Sequence, residues 1–248
     1  MASEDVSRLQ DEAEDHFRDE CGVFGIFGRQ DASAITTLGL HALQHRGQEA
    51  AGIVAWDGSQ FYVERHVGLV GDNFTKQAVI DRLKGKAAIG HVRYSTTGGA
   101  GLRNVQPLIA ELADGGFAVA HNGNLINAKL LRDEYEEQGH IFQSTTDTEV
   151  IVHLLARPAH MDKPDPLACT LRHLQGAFSL VVLYPDRLEA TRDPWGIRPL
   201  VIGRTADGHW CVASETCAFD AIDATYVREV EPGEIIRIDD SGIHSRFY

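Results

Sequence analysis

Apolar positions along the chain fall into short runs broken by glycine, proline and aspartate, not into long periodic stretches. Gly22–Phe27 (GVFGIF) is continuously apolar and reads as a buried strand. Asp31 is placed to cap a helix over Ala32–Gln44, with Leu38, Leu40 and Leu43 among its apolar positions and Gly47 as terminator. Ile53–Trp56 and Gln60–Glu64 flank Asp57-Gly58, a hairpin signal. A short helix is expected over Phe74–Leu83, a strand over Ala87–Arg93, and another strand over Phe117–His121. A charged helix follows over Ile126–Gln138, ending at Gly139, and Asp147–Ala156 and Pro166–Leu174 read as helices. Beyond them Ala177–Tyr184 pairs with Arg187–Arg192 around Pro185-Asp186, and Leu200–Arg204 with Trp210–Ala213 around Asp207-Gly208. Tyr226–Val230 and Glu234–Ile238 are split by Pro232-Gly233. Many hairpins with several helices between them imply antiparallel sheets covered by helices, an α+β class. The regular strand–helix alternation of a doubly wound parallel sheet is missing.

Composition changes this picture at one end only. With 248 residues and 43% apolar content the chain can bury a sizeable core, and no apolar run reaches the roughly 20 residues that span a bilayer. The net charge of −13 argues against nucleic acid or anionic membrane as partners. The first twenty residues hold eight acids and two arginines, a net of −6, so nearly half of that charge precedes Cys21. Residues 1–20 therefore separate from a single domain over 21–248. Four cysteines, at 21, 169, 211 and 217, do not make a disulfide framework, and a cytoplasmic protein with reduced thiols is expected. Cys169, Cys211 and Cys217 read as core residues, and no zinc knuckle, His-Glu-x-x-His pair, P-loop or dinucleotide fingerprint occurs, so no metal ligand is assigned.

Four blocks adjoin strands or begin helices: Cys21-Gly22, Gly90 to Thr96 (GHVRYST), His121 to Leu125 (HNGNL) and Thr146 to Glu149 (TDTE). Such positions are where a rigid scaffold presents functional groups. Singly, each has an ordinary explanation. Cys21 would be a small buried hydrophobe, Arg93 a surface ion pair, Asn122-Gly123 a tight turn and Asp147 a helix start. Trp195 reads as a packed aromatic in a turn.

Taken in order, these blocks resemble the glutaminase domain of the class II glutamine amidotransferases, which are N-terminal nucleophile hydrolases. Cys21 to Ile26 (CGVFGI), His45 to Ile53 (HRGQEAAGI), Gly90 to Thr96, His121 to Leu125 and Thr146 to Val150 carry the likeness, which covers Cys21 to about Ile238. Leu43 to Glu49, Val92 to Gly98, Arg192 to Leu200 and Ser214 to Asp220 are most similar to the branch that passes ammonia to phosphoribosyl pyrophosphate, the first committed step of purine synthesis. The sugar-phosphate branch would show a Tyr-Arg-Gly-Tyr type run where this chain has Gln44 to Gly47, and usually tryptophan where it has Tyr94.

The resemblance implies a four-layer αββα sandwich with two antiparallel sheets between helix layers. It makes Met1–Glu20 a propeptide whose removal would leave Cys21 with both a thiol and a free α-amine. It assigns catalysis to Cys21, Asn122 and Gly123, the latter two as oxyanion donors. Arg93 would hold the glutamine α-carboxylate and Asp147 its α-ammonium, while Tyr94, Ser95 and Thr96 shape the pocket. Arg46 and Gly47 would lie close to the nucleophile. The glutaminase half needs no cofactor. A phosphoribosyltransferase domain, absent from this chain, is the implied partner, with Mg2+ for its own chemistry and homo-oligomers of the full-length enzyme. An iron–sulfur cluster occurs in some members, but most of its ligands would lie past residue 248, which leaves it open here. Two alternatives stand: a class II glutaminase serving another acceptor such as a sugar phosphate, and an unprocessed, inactive binding domain of the same fold.

Overall fold

The computed structural model describes residues 21–94, 101–112, 115–161 and 163–248. Met1–Glu20, Ser95 and Thr96 lie outside them. Two antiparallel sheets make up its centre. The first, in spatial order, contains β11 (Ala224–Glu229), β9 (Val201–Thr205), β10 (Trp210–Ala213), β1 (Gly22–Phe27), β4 (Ala87–Arg93), β2 (Ala50–Trp56) and β3 (Phe61–Val67). The second contains β13 (Gly242–Phe247), β12 (Glu234–Asp239), β8 (Leu188–Arg192), β7 (Gly176–Leu183), β6 (Gly115–Leu125) and β5 (Leu108–Leu112).

Three apolar layers bind these sheets into a sandwich. Val23, Phe27, Val54 and Ile89 of the first sheet meet Ala118, Ala120, Val181 and Leu188 of the second. The outer face of the first sheet packs Phe24, Ile26 and Val92 beneath α1 (Ala32–Ala42), α2 (Val70–Asn73), α3 (Gln77–Ile80) and α8 (Cys217–Asp220). The outer face of the second packs Phe117, Val119, Phe178 and Leu180 beneath α4 (Ala128–Glu137), α5 (Thr148–Leu155) and α7 (Pro166–Leu171), with α6 (Pro158–Met161) between α5 and α7 along the chain. Helix, sheet, sheet, helix is the four-layer arrangement expected. Because β1, β2 and β4 are covered on both faces, every residue in them is buried. That is why they read as continuous apolar runs and not as alternating strands.

Several expectations are corrected. Asn122-Gly123 is not a turn: β6 continues through both residues to Leu125, paired with β7. Tyr226–Val230 and Glu234–Ile238 do not pair with each other, for β11 joins β9 while β12 joins β8 and β13, so the chain changes sheets at Pro232-Gly233. The helix expected over Phe74–Leu83 is reduced to α3 (Gln77–Ile80), while α2, β5 and β13 went unread. Trp195 sits in a turn but is 79% exposed, so it does not pack. Among the other cysteines Cys211 is fully buried in the core, whereas Cys169 and Cys217 are only partly buried.

Gly39 shows how tightly the outer layer is fitted. Alanine in a helix interior is ordinarily favoured over glycine by about 0.8–1.0 kcal/mol. Here a Cβ would lie 2.6 Å from the ring of Phe24, which is fully buried and has no room to move. Overpacking of this kind costs about 1–3 kcal/mol, so the sign reverses. Gly39→Ala is expected to lower stability in urea unfolding by up to about 2 kcal/mol, and a more stable variant would contradict the packing described.

Candidate active site

The site grows from the end of β1. Cys21 precedes that strand with φ of +66°, a left-handed conformation that residues bearing a Cβ rarely adopt and that costs roughly 1–3 kcal/mol. Two hydrogen bonds to one residue hold it there. The Cys21 N–H donates to the Arg46 carbonyl (2.9 Å), and Arg46 Nε donates to the Cys21 carbonyl (2.8 Å). Arg46 belongs to a 3-10 turn over Gln44–Arg46, and its side chain is 1% exposed. Its guanidinium also pairs with Glu215. Burial alone would raise the Glu215 carboxyl, but Arg46 and His45 hold it below the usual carboxylate range. The Glu215 segment is itself stapled to β1: Val23 N–H donates to Ser214 Oγ and Ser214 N–H to the Val23 carbonyl, each at 3.0 Å.

Gly47 joins this clamp to the end of β4. A Cβ there would lie 2.7 Å from backbone atoms of Arg93, so only glycine lets the turn approach. Glu49 N–H then donates to the Arg93 carbonyl (3.1 Å), and the buried Arg93 guanidinium sits 4.0 Å from the Glu49 carboxylate. The Cys21 thiol donates to the carbonyl of the next residue, Tyr94, at 3.5 Å.

The opposite wall comes from the second sheet. His91 of β4 reaches across and donates from Nε2 to the His121 carbonyl of β6 (3.1 Å), while the Gln106 amide brackets His121, accepting from its N–H (2.7 Å) and donating to its carbonyl (3.2 Å). These bonds fix the backbone just before Asn122 and Gly123. Asn122 shares the sheet-to-sheet side with Ala118 and Ala120 by strand alternation. It is fully buried, and among the described residues neither its side-chain nitrogen nor its oxygen has a hydrogen-bond partner. Leaving such a group unpaired costs about 1–3 kcal/mol, which a ligand can recover. Gly123 has φ of +145°, and a Cβ would meet the Ala177 carbonyl oxygen at 2.1 Å. Both facts require glycine.

Asp147 begins α5 but does not cap it. Its carboxylate accepts from the Leu125 N–H (3.0 Å) and lies 3.6 Å from His121 Nδ1. Burial opposes its charge, yet the His121 ring and the Leu125 and Thr148 N–H groups hold its pKa below the ordinary value. The loop leading to α5 is tied by Asn104, which donates to Thr145 Oγ1 (2.9 Å) and accepts from Thr145 N–H (3.0 Å).

Cys21, Arg93, Tyr94, Gly123 and Asp147 thus line one cavity of about 670 Å³. Asn122 lies behind its wall, and Arg46 and Gly47 lie beneath Cys21 outside the lining. Gln106, Asn124, Lys129, Arg132 and Arg198 also line it and were not singled out in the sequence. Arg198 had a signal, since it sits in the quoted Arg192–Leu200 segment. The buried Asp193 carboxylate accepts from the N–H groups of Trp195, Ile197 and Arg198 and so shapes the loop that brings Arg198 in. Four cationic residues and one carboxylate on the lining give an acidic chain a basic pocket, suited to an anionic group or a developing oxyanion.

The chain is similar to known proteins over most of its length. The family model for the glutamine amidotransferase domain matches residues 91–221. The chain is 54% identical over 222 residues to an amidophosphoribosyltransferase of Rhizobium etli, covering 90% of this chain and 45% of that protein. It is 49% identical over 228 residues to an amidophosphoribosyltransferase of Bacillus subtilis, covering 92% and 48%. A solved structure described as the allosteric regulatory enzyme of purine biosynthesis superposes with a TM-score of 0.87 at 49% identity, covering 92% of this chain and 49% of that one. The chain therefore spans about half the length of the curated relatives it matches.

His91 supplies a test of the inter-sheet contact. Burial, then the neighbouring His121 and Arg93, push its pKa down to about 3. As pH falls the unfolded chain takes up this proton first. The stabilisation from neutral His91 is full above about 6.5 and is lost between there and about 3, by up to about 1.4 kcal/mol per pH unit. Imidazole ¹⁵N NMR at pH 5 is expected to show His91 neutral with the proton on Nε2. A doubly protonated ring would contradict the dry burial of Nδ1, and a proton on Nδ1 instead would contradict the contact.

Proposed function

We propose, from the premise that the chain belongs to the glutamine amidotransferase domain family, that residues 21–248 are the glutaminase domain of an amidophosphoribosyltransferase. They hydrolyse glutamine to glutamate and ammonia. The ammonia is used with phosphoribosyl pyrophosphate, in a phosphoribosyltransferase domain that relies on Mg2+, to make 5-phosphoribosylamine in the cytoplasm. The supporting observation is the convergence of Cys21, Arg93, Gly123 and Asp147 on one cavity, with the unpartnered Asn122 amide behind it. Identity near 50% to amidophosphoribosyltransferases supports the choice of acceptor.

In this mechanism Met1–Glu20 is a propeptide, and hydrolysis of the Glu20–Cys21 bond exposes the Cys21 α-amine. A free thiol near pKa 8.5 and an α-amine near 7.7–8.0 are roughly matched, so the amine can take the thiol proton, which an amide nitrogen cannot. The thiolate attacks the side-chain amide carbon of glutamine. The carbonyl oxygen becomes an oxyanion that accepts from the Asn122 amide and the Gly123 N–H. As the intermediate collapses, its amide nitrogen takes the proton from the α-ammonium and departs as ammonia, which leaves a glutamyl thioester and a neutral α-amine. Water, deprotonated by the same amine, then releases glutamate and restores the thiol. Arg93 binds the α-carboxylate with its planar fork and Asp147 the α-ammonium, which selects free glutamine over glutamine within a peptide. Tyr94 contributes to the pocket wall, as Ser95 and Thr96 do in this reading. Arg46 and Gly47 hold the nucleophile in place.

Steady-state ammonia release divides these roles. Cys21→Ala is expected to abolish it, and full activity in that variant would overturn the mechanism. Asn122→Ala is expected to lower kcat by about 10²–10³-fold, the usual loss of one oxyanion donor. Arg93→Lys keeps the charge but loses the fork, so it should act chiefly by raising the KM for glutamine. An Asn122→Ala effect confined to KM would remove Asn122 from the oxyanion site.

A further inference from the structure

Outside the cavity lining, His45 meets two potential ligands, Glu215 and Cys217, that are close together in sequence but some 170 residues from it. His45 Nε2, a Glu215 carboxylate oxygen and Cys217 Sγ all lie within 4.8 Å of one another. We propose that His45, Glu215 and Cys217 form a binding site for a zinc-class divalent transition metal ion, separate from the glutaminase chemistry.

Four features of the cluster support it. First, the donor set of one thiolate, one imidazole and one carboxylate is the mixture zinc favours, and the two anionic ligands balance a divalent charge. Second, the spacing fits. A tetrahedral zinc site with bonds of about 2.0 Å to oxygen and nitrogen and about 2.3 Å to sulfur has O···N edges near 3.3 Å and O···S edges near 3.5 Å. Glu215 Oε2 lies 3.0 Å from His45 Nε2 and 3.7 Å from Cys217 Sγ, so two of the three edges are already in place.

Third, the imidazole is oriented as a ligand. His45 Nδ1 lies 3.1 Å from the Ala42 carbonyl, to which it must donate. Nε2 then faces Glu215 Oε2 across 3.0 Å, a gap that a proton fills in the ion pair and that a metal ion can fill in its place. Two acceptors 3.0 Å apart need a proton or a cation between them. Fourth, the carboxylate has its other oxygen committed to Arg46. Glu215 can therefore bind the ion through Oε2 while Oε1 stays on the guanidinium, as outer hydrogen bonds hold metal-ligating carboxylates elsewhere. His45 is 56% exposed on its side chain, so water can reach the fourth coordination position.

On binding, the Cys217 thiol loses its proton to solvent and a sulfur–metal bond forms, with no change of oxidation state. The ion then sits one carboxylate away from the arginine that holds both backbone groups of Cys21. It would stiffen that support without touching glutamine.

Cobalt(II) provides a spectroscopic stand-in for zinc. Titration of the whole chain is expected to develop thiolate-to-cobalt absorption that saturates at one equivalent and is displaced by zinc. Cys217→Ser should abolish that absorption, and Cys21→Ser should retain it. His45→Gln, at an exposed position that leaves folding intact, should weaken cobalt binding by about tenfold or more. Zinc should also raise the unfolding midpoint of the native chain but not that of His45→Gln. Absorption that survives Cys217→Ser and disappears in Cys21→Ser would place the metal on the nucleophile and overturn the proposal, as would the absence of any cobalt–thiolate band. None of these readouts requires glutamine hydrolysis, so the outcome is independent of the proposed function.

Discussion

A buried guanidinium carries the architecture of the site. Taking an arginine out of water costs several kcal/mol unless its donors are matched, and the Arg46 side chain is 1% exposed. The compensation comes from two directions at once: the Glu215 carboxylate on one side and the Cys21 carbonyl on the other. The clamp therefore positions β1, the Ser214–Glu215 segment and the 3-10 turn with a single side chain. It also explains how Cys21 tolerates a left-handed backbone, since both of its main-chain polar groups are committed to Arg46. Gly47 carries the constraint onward. Because the turn lies against the Arg93 backbone, the position of the thiol and the position of the guanidinium in the cavity are set by the same four residues of chain, Arg46 to Glu49.

The second sheet is registered against this framework by polar groups in an otherwise apolar interface. Burial keeps His91 neutral while its Nε2 donates to the His121 carbonyl, and Gln106 saturates what remains of the His121 backbone. The result is a rigid approach to Asn122 and Gly123. A sandwich whose layers were only apolar would gain the same burial energy but would not fix the register at the cavity edge. Among the described residues the Asn122 amide is buried with neither polar atom paired, which is compatible with the oxyanion-donor role proposed for it.

Much of this was legible in the sequence, for identifiable reasons. The limits of β1 and β4 could be read directly because both strands are buried on two faces and bounded by polar or glycine signals. Cys21, Arg93, Gly123 and Asp147 were legible through the family resemblance that their ordered blocks carry, and all four line one cavity. Asn122-Gly123 misled as a local signal: the pair favours turns, but here tertiary pairing with β7 carries the strand through it. Pro232-Gly233 misled similarly, because a turn between two strands does not reveal that they belong to different sheets. Spacing could not place Arg198 in the cavity, nor bring His45 to Glu215 and Cys217, some 170 residues along the chain, because both approaches are made only in the fold.

The central proposal is that Cys21, carried by Arg46 and bearing an α-amine once Met1–Glu20 is removed, is the nucleophile of a glutamine pocket. The most direct measurement is intact-mass analysis after treatment with an alkylating glutamine analogue, followed by peptide mapping. The account predicts one adduct per chain, on Cys21, confined to molecules whose first residue is Cys21 and prevented by excess glutamine. Equal labelling of molecules that retain Met1–Glu20, or an adduct on Cys169, Cys211 or Cys217 instead, would contradict it.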